Sequence, residues 1–441
     1  MEHRKFGYKS VDDLKKECER LGIELPLSED TEILGQAVDI QGRHVANRLL
    51  IQPMEGCDGI EKTGALGELT KRRYDRFASS GAGTIWFEAV AVVHSGKANP
   101  RQLWINDKSF DTFAETVEHI KEKTMALYGF EPLLIMQATH SGRQSRPNSM
   151  APEPLIAQHK EIFEKDRPLS DDRIISDDEI KKVEEAYGRA AELAKAAGFD
   201  GIDVKNCHGY LNNELMTAYE RKGEYGGCFE NRTRFYFNSI ESARAAVGGD
   251  FIITSRMNVY DGYEYPWGIG ADKNGGSEPD LAEPLKIVDI LHDKYGFGLF
   301  DVTIGNPYFN PHVNRPYDNG GYVPPEHPLE GVARMMKCVE AVQKRHTDMA
   351  VVGSAFTYLR QFSPMLAAGA IKSGICTLAG FGRMAFAYPE FARDILNGCF
   401  DERKSCITCG KCTELMRGDR QAGCVVRDSD TYLPIYKSIK K

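Results

Sequence analysis

A chain of 441 residues has room for one large domain with a small appendage and is too short for three full domains. Its 41% apolar and 27% charged residues are those of an ordinary globular protein, and a net charge of −8 argues against nucleic acid as the main partner. No apolar run approaches the roughly 18 residues of a membrane-spanning helix. The opening MEHRKFGYKSVDD lacks the apolar core of a signal peptide. The expectation is a cytoplasmic protein with no membrane role.

In chain order, residues 10–22 (SVDDLKKECERLG) predict a short amphipathic helix capped by Ser10 and packed on the outside of the main domain, with Cys18 a surface or packing residue. Asn47 to Met54 (NRLLIQPM) predicts a first strand that runs into a proline. Gly83 to Ala89 predicts a second strand, followed by a helix near 107–128. Pro132 to His140 predicts a third, with Gln137 near its C-terminal end, where a side-chain amide suits an imide edge. Residues 141–175, rich in Pro and Ser, read as a loop over the mouth of the domain. Ser176-Asp-Asp-Glu179 is a capping box opening the next helix. Gly201 to Lys205 predicts strand four, and Asn206-Cys-His-Gly-Tyr210 follows it, so Lys205, His208 and Tyr210 place an ammonium, an imidazole and a phenol within six residues. A helix near 229–247 comes next.

Asp250 to Arg256 predicts strand five with Arg256 at its end; helix 279–296 and strand 298–304 form the next unit. A Pro- and aromatic-rich stretch follows, over twenty residues long and holding His312 and Arg315. Its length and composition predict a substrate-side lid. Helix 327–346 leads to strand seven, Met349 to Ser354, and Gly374 to Ala379 predicts strand eight. The turns Gly353-Ser354 and Gly380-Phe-Gly382-Arg383 suit a phosphate held by backbone N–H groups and a helix N-terminus.

Eight strands alternating with helices over about 47–398 predict a parallel α/β sheet, which periodicity leaves open between a closed barrel and a doubly wound sheet. Five of the eleven cysteines, Cys399, Cys406, Cys409, Cys412 and Cys424, crowd the last tenth of the chain, a pattern that points to metal before disulfides. Cys406-x2-Cys409-x2-Cys412-x11-Cys424, a tight triplet with one distant partner, suits a [4Fe–4S] cluster. Zinc is the rival, although four-cysteine zinc sites come as two separated pairs. Cys399 fits the spacing less well.

The segments HGY at 208–210, YGG at 225–227 and ENRTRF at 230–235 resemble the signature of the Old Yellow Enzyme family of FMN-containing reductases. The strand ending in Pro53-Met54, the Glu88-Ala89 strand end and the Gln137 to Arg143 line are similar too. The resemblance spans Asn47 to Pro389 and implies an α/β fold, a (β/α)8 TIM barrel. The four cysteines resemble those of the family's iron–sulfur branch, with 2,4-dienoyl-CoA reductase and 2-enoate reductase. Their usual spacing there is one residue longer between the second and third ligands. The division implied is an N-terminal extension (1–40), an FMN-binding barrel (41–398) and an iron–sulfur segment (399–441).

For the site, the resemblance implies Tyr210 as proton donor, Lys205 and His208 as holders of the substrate oxygen, and FMN contacts from Pro53, Met54, Glu55, Ala89, Gln137, Arg256, Gly353, Ser354, Gly382 and Arg383. Cys406, Cys409, Cys412 and Cys424 would be the metal ligands. Glu55 stands where relatives carry Thr or Cys, and an ionised carboxylate beside the flavin would lower its potential. The reaction implied is reduction of the C=C bond of an unsaturated carbonyl or carboxylate, and a cationic Lys205 favours an enoate. The relatives continue into FAD- and nicotinamide-binding domains, whereas seventeen residues follow Cys424 here and no GxGxxG follows a strand. Electrons would then arrive from a separate protein, a ferredoxin or an NADH-oxidising flavoprotein, or from NAD(P)H at the barrel mouth with the cluster structural. An amine dehydrogenase of the same family and a non-catalytic FMN/iron–sulfur electron carrier are the alternatives, and a homo-oligomer is allowed.

Overall fold

The computed structural model describes residues 5–318 and 320–439. Residues 1–4 and 440–441, the tips of the two terminal segments, and Asn319 of the lid lie outside the described residues.

Among the described residues one all-parallel sheet runs β1 (Leu49–Ile51), β2 (Thr84–Ala91), β3 (Leu133–Thr139), β4 (Gly201–Val204), β5, β6 (Leu299–Ile304), β7 (Ala350–Gly353) and β8 (Leu378–Phe381). β5 comes in two pieces, Ile252–Thr254 against β4 and Arg256–Tyr260 against β6. Ser255 between them donates its hydroxyl to Val204 O at 2.7 Å and accepts Asp301 N–H at 3.0 Å, so the two ends of the sheet are one chain and the sheet closes on itself. With β8 paired to β1, the eight positions make the expected (β/α)8 barrel.

Each strand is buried along its whole length, as a barrel wall covered by helices requires. Leu50, Trp86, Ile135, Ile252, Leu299, Val352 and Leu378 pack together in one core cluster. The larger core lies between strands and helices, where Tyr74 stacks on Phe87 with ring centroids 3.8 Å apart. An antiparallel hairpin, Val38–Ile40 with Arg43–Val45, precedes β1.

Helix Asp177–Ala196 begins with the capping box read from Ser176 and Glu179, and helix Val11–Leu21 has one between Ser10 and Asp13. Several boundaries differ from expectation. β1 is three residues because its chain turns toward Pro53, which cannot donate to a ladder. β5 continues through Arg256 to Tyr260, so that arginine begins the second piece rather than ending the strand. β8 starts at Leu378 instead of Gly374: Gly374 N–H and Ile375 N–H bond back to Ile371 O and Ala370 O, closing the preceding helix first. The helix near 229–247 is two pieces, Phe229–Arg232 and Arg234–Val247, meeting at Thr233, and the 141–175 loop contains helical turns at Gly142–Gln144, Glu161–Glu164 and Asp171–Arg173. Cys18 is a packing residue, 5% exposed.

The C-terminal segment lies against the barrel. Asp428 pairs with Arg72 at 2.8 Å and with Arg76, both on helix Glu68–Ala78. Ala422 N–H donates to Gly56 O at 2.7 Å, and Arg417 reaches Pro307 O at 2.9 Å.

Candidate active site

A cavity of about 500 Å³ opens at the C-terminal ends of the strands, within the size range of cofactor sites. Pro53, Met54, Glu55, Gln137, Lys205, His208, Tyr210, Arg256, Ser354, Gly382 and Arg383, all singled out from sequence, line it together. Ala89 and Gly353 lie off its wall. Ala89 is buried with its carbonyl accepting from Gln102 Nε2 at 3.1 Å, and Gly353 ends β7 where an added Cβ would come within 3.1 Å of Cys376 and Phe356.

Two carboxylates stand below the cavity and fix its amides. Asp203 on β4 accepts from Trp86 Nε1 at 2.9 Å, Gln137 Nε2 at 2.6 Å and Arg256 N at 2.7 Å. With its amide nitrogen committed to Asp203, Gln137 presents its carbonyl oxygen to the cavity. Asp301 on β6 lies 3.1 Å from the Arg256 guanidinium and 3.2 Å from Gln52 Nε2. Gln52 Nε2 also reaches Ser354 Oγ at 3.0 Å, and its buried Oε1 has no protein partner. Burial raises both carboxyls, Asp203 to about 6 and Asp301 to about 7, against the opposing hydrogen bonds of the amides and the pull of Arg256. An orphaned acceptor, a fixed amide carbonyl and an anchored guanidinium are the donor and acceptor set that a flavin pyrimidine edge takes, and Arg383 at the start of helix Arg383–Ala387 suits its phosphate.

Four side chains crowd one end. Tyr210 Oη lies 3.3 Å from Glu55 Oε1 and 3.0 Å from Tyr308 Oη, while Lys205 Nζ sits 3.8 Å from Glu55 Oε1 and 3.9 Å from the centre of the Tyr210 ring. Burial pushes the Glu55 carboxyl up, with Lys205 and Tyr210 pulling against it; burial and then Glu55 push the Tyr210 phenol well up. His208 has φ 66° and its Nε2 faces the Asn314 amide nitrogen at 3.1 Å. That nitrogen only donates, so His208 Nε2 accepts and the ring is neutral. Burial first, then Arg256, Lys205 and Arg315, hold His208 well below its usual range.

The loop that carries Glu55 rests on an ionic knot. Arg73 pairs with both Asp58 and Glu88, all three buried, and Glu88 accepts Gly56 N–H at 2.9 Å. Burial raises Glu88 to about 7 despite Arg73. Gly56 is required here because a Cβ would fall 1.9 Å from the Arg73 guanidinium.

Beside the large cavity, Cys406, Cys409, Cys412 and Cys424 line a small chamber of about 20 Å³. Thr408 N–H points to Cys406 Sγ at 3.4 Å and Arg427 N–H to Cys424 Sγ at 3.3 Å, contacts that favour thiolates. Burial, offset by Arg383, pushes the free Cys406 thiol up to about 12. Among the described residues no three thiols lie mutually within 4.8 Å. Cys399 is exposed and off this chamber. Cys412, Arg383 and Phe386 line both chambers and form a common wall. A far cluster, His292, His346 and Asp348, has three ring nitrogens within 3.0 Å of carboxylates of Asp289, Asp293 and Asp348 and reads as an ion-pair network.

The model of the NADH:flavin oxidoreductase / NADH oxidase family matches residues 34–275. The chain belongs to that family. A cinnamate reductase from Clostridium sporogenes is 25% identical over 431 residues, 94% of this chain and 61% of its own length. An NADPH dehydrogenase from Clostridium acetobutylicum is 28% identical over 262 residues, 58% of this chain and 70% of its own. Among solved structures, a 2-naphthoyl-CoA reductase complex superposes with a TM-score of 0.76 at 19% identity, over 90% of this chain and 57% of that one, which shows the shared fold. The chain thus spans little more than half of the longer proteins it matches.

As a member of this flavin oxidoreductase family, the protein is an FMN-type oxidoreductase. Sequence reasoning missed Gln52, Tyr308, Asn314 and Arg417, which also line the cavity, as does Arg315 of the expected lid. Gln52 carried a signal, a polar residue ending an apolar strand. Tyr308, Asn314 and Arg315 come from the lid, whose path no periodicity predicts. Among the described residues no helix is long and apolar enough to cross a membrane.

Proposed function

We propose that the protein is an FMN-dependent ene-reductase acting on an α,β-unsaturated carboxylate or carbonyl compound of the enoate type. The observation that carries the reading is the convergence of Tyr210, Lys205 and His208 in the same cavity as the Gln52, Gln137 and Arg256 set. The similarity to a protein named cinnamate reductase supports an enoate substrate. When bound, FMN supplies hydride to the β-carbon of an activated C=C bond.

The chain's own groups supply the rest. Gln52, Gln137 and Arg256 would hold the pyrimidine edge, Pro53 and Met54 would line the ring site, and Ser354, Gly382 and Arg383 would take the phosphate. Lys205 and neutral His208 hold the substrate oxygens, and the Lys205 charge favours a carboxylate. Tyr210 gives the proton to the α-carbon; burial opposes ionisation of its phenol. Within the division 1–40, 41–398 and 399–441, Cys406, Cys409, Cys412 and Cys424 would hold a [4Fe–4S] cluster, a group that would supply one-electron chemistry for a separate donor protein, a ferredoxin or an NADH-oxidising flavoprotein. NAD(P)H at the barrel mouth is the other source of electrons.

The test is stopped-flow reoxidation of the anaerobically reduced protein by cinnamate, by other enoates and by neutral enones. Rapid reoxidation with saturated product supports the reading; reoxidation by none of them overturns it.

A further inference from the structure

The phenol that delivers the proton faces an acid of its own. Glu55 is the carboxyl in direct reach of Tyr210 Oη, at 3.3 Å, and its side chain is 14% exposed. Tyr308 Oη touches Tyr210 from the lid at 3.0 Å. Lys205 from the end of β4 lies 3.8 Å from Glu55, and Cys57 on the same loop is the other ionisable neighbour. Arg146, Arg256 and His208 share the cavity wall.

Direction decides what this group does. An ionised Glu55 accepts the Tyr210 hydrogen and takes it away from the substrate. A protonated Glu55 donates to Tyr210 Oη, and the phenol hydrogen is then free to point into the cavity. We propose that Glu55 is a positioning residue and proton reservoir for Tyr210, held protonated before turnover. This rests on Tyr210 being the proton donor.

The step balances as follows. The enolate carbon's electron pair takes the Tyr210 proton, forming the new C–H bond as the Tyr210 O–H bond breaks. The Glu55 O–H bond breaks in turn and its proton re-forms the Tyr210 O–H bond. Glu55 is left as a carboxylate beside the Lys205 ammonium, and cavity water, which its 14% exposed side chain meets, returns one proton. Burial pushes the carboxyl up at rest, and Lys205 stabilises the carboxylate once the proton has gone. With Glu55 neutral, the Lys205 charge is free for a substrate carboxylate, so one residue serves both tasks.

Glu55→Gln keeps size and hydrogen bonding but cannot give up a proton. In wild type, the substrate half-reaction should slow as pH rises through the raised pKa of Glu55, because the protonated form is the working one. Glu55→Gln should be slower by roughly 10²-fold, the low end of a general-acid deletion, and should lose that pH limb. Glu55→Asp should restore the limb in part. Independently of turnover, difference infrared spectra across the same pH range should show a protonated-carboxyl C=O band that Glu55→Gln lacks. A Glu55→Gln protein with wild-type rate and unchanged pH limb overturns the proposal, as does the absence of that band. If no unsaturated compound reoxidises even the wild type, the ene-reductase reading falls, and the infrared band alone decides whether Glu55 holds the proton.

Discussion

The barrel mouth and the cysteine segment solve the same problem, holding reactive groups in place, by opposite means. At the mouth, side chains stand on strand ends and are fixed from beneath by Asp203 and Asp301, each bonded to two or more neighbours. In the segment, the thiols come from loops and a short helix, Lys411–Arg417, with backbone at positive φ at Thr408 and Gly410, and their orientation depends on docking to the barrel. The mouth is preorganised by its scaffold. The segment is organised by what it leans on.

The sharpest way to break this comparison is at Cys409, which lines the cysteine chamber alone. Cys409→Ser is expected to take the iron content from about four per chain to near zero while flavin stays bound, measured by metal analysis and released FMN. Equal loss of both would mean the two regions do not hold their groups separately. Next in size, Tyr210→Phe should leave flavin reduction intact and slow reoxidation by the unsaturated substrate roughly 10²–10⁴-fold; stopped-flow traces of both half-reactions separate the two.

The ionic knot under Glu55 tests preorganisation directly. Arg73→Met strands two buried carboxyls, Asp58 and Glu88, and should cost about 3–5 kcal/mol of stability in denaturant melts. Burial already lifts Glu88 to about 7, so its folded pKa is raised, and the unpaired carboxyls should make the variant recover stability as pH falls. Smaller again, Lys205→Met should weaken a carboxylate substrate about ten- to a hundred-fold, the worth of one charge-assisted hydrogen bond, and a neutral enone hardly at all. Titration of the reduced protein with both substrates reads the difference.

At the segment's anchor, burial would lift the Asp428 carboxyl, but the hydrogen bond from Arg72 and the charges of Arg76 and Arg72 outweigh it and hold it low. A depressed folded pKa gives stability above the ordinary carboxylate range of about 4 that is lost as pH drops through the folded value. Asp428→Asn should therefore weaken docking by roughly 1 kcal/mol at neutral pH, Arg72 being partly exposed. Hydrogen exchange in helix Ser429–Ile439 of the iron-free protein should rise in the variant and, in wild type, rise on acidification.

Strand ends were legible because a barrel puts chemistry where an apolar run stops; Gln137, Lys205 and Arg256 were found that way. The cysteines were legible by spacing. What the sequence hid were partners fixed only in three dimensions. Asp203 and Asp301 drew no attention within their strands, yet each holds an amide nitrogen, that of Gln137 and that of Gln52. Lys205 read as a free cation for substrate, and the fold sets it against Glu55. Tyr308, Asn314 and Arg315 sit on a loop whose course depends on what lies beneath it.

The common wall of Cys412, Arg383 and Phe386 bears on where the chain can be cut. One thiol of the quartet is also part of the flavin chamber, together with Met416, Arg417 and Ala422 of the same segment. The large cavity is therefore complete only after the segment has folded back. A chain cut before residue 399 would lose that wall and bind flavin loosely, whereas a change at Cys409, which lies outside the shared partition, would leave the wall standing.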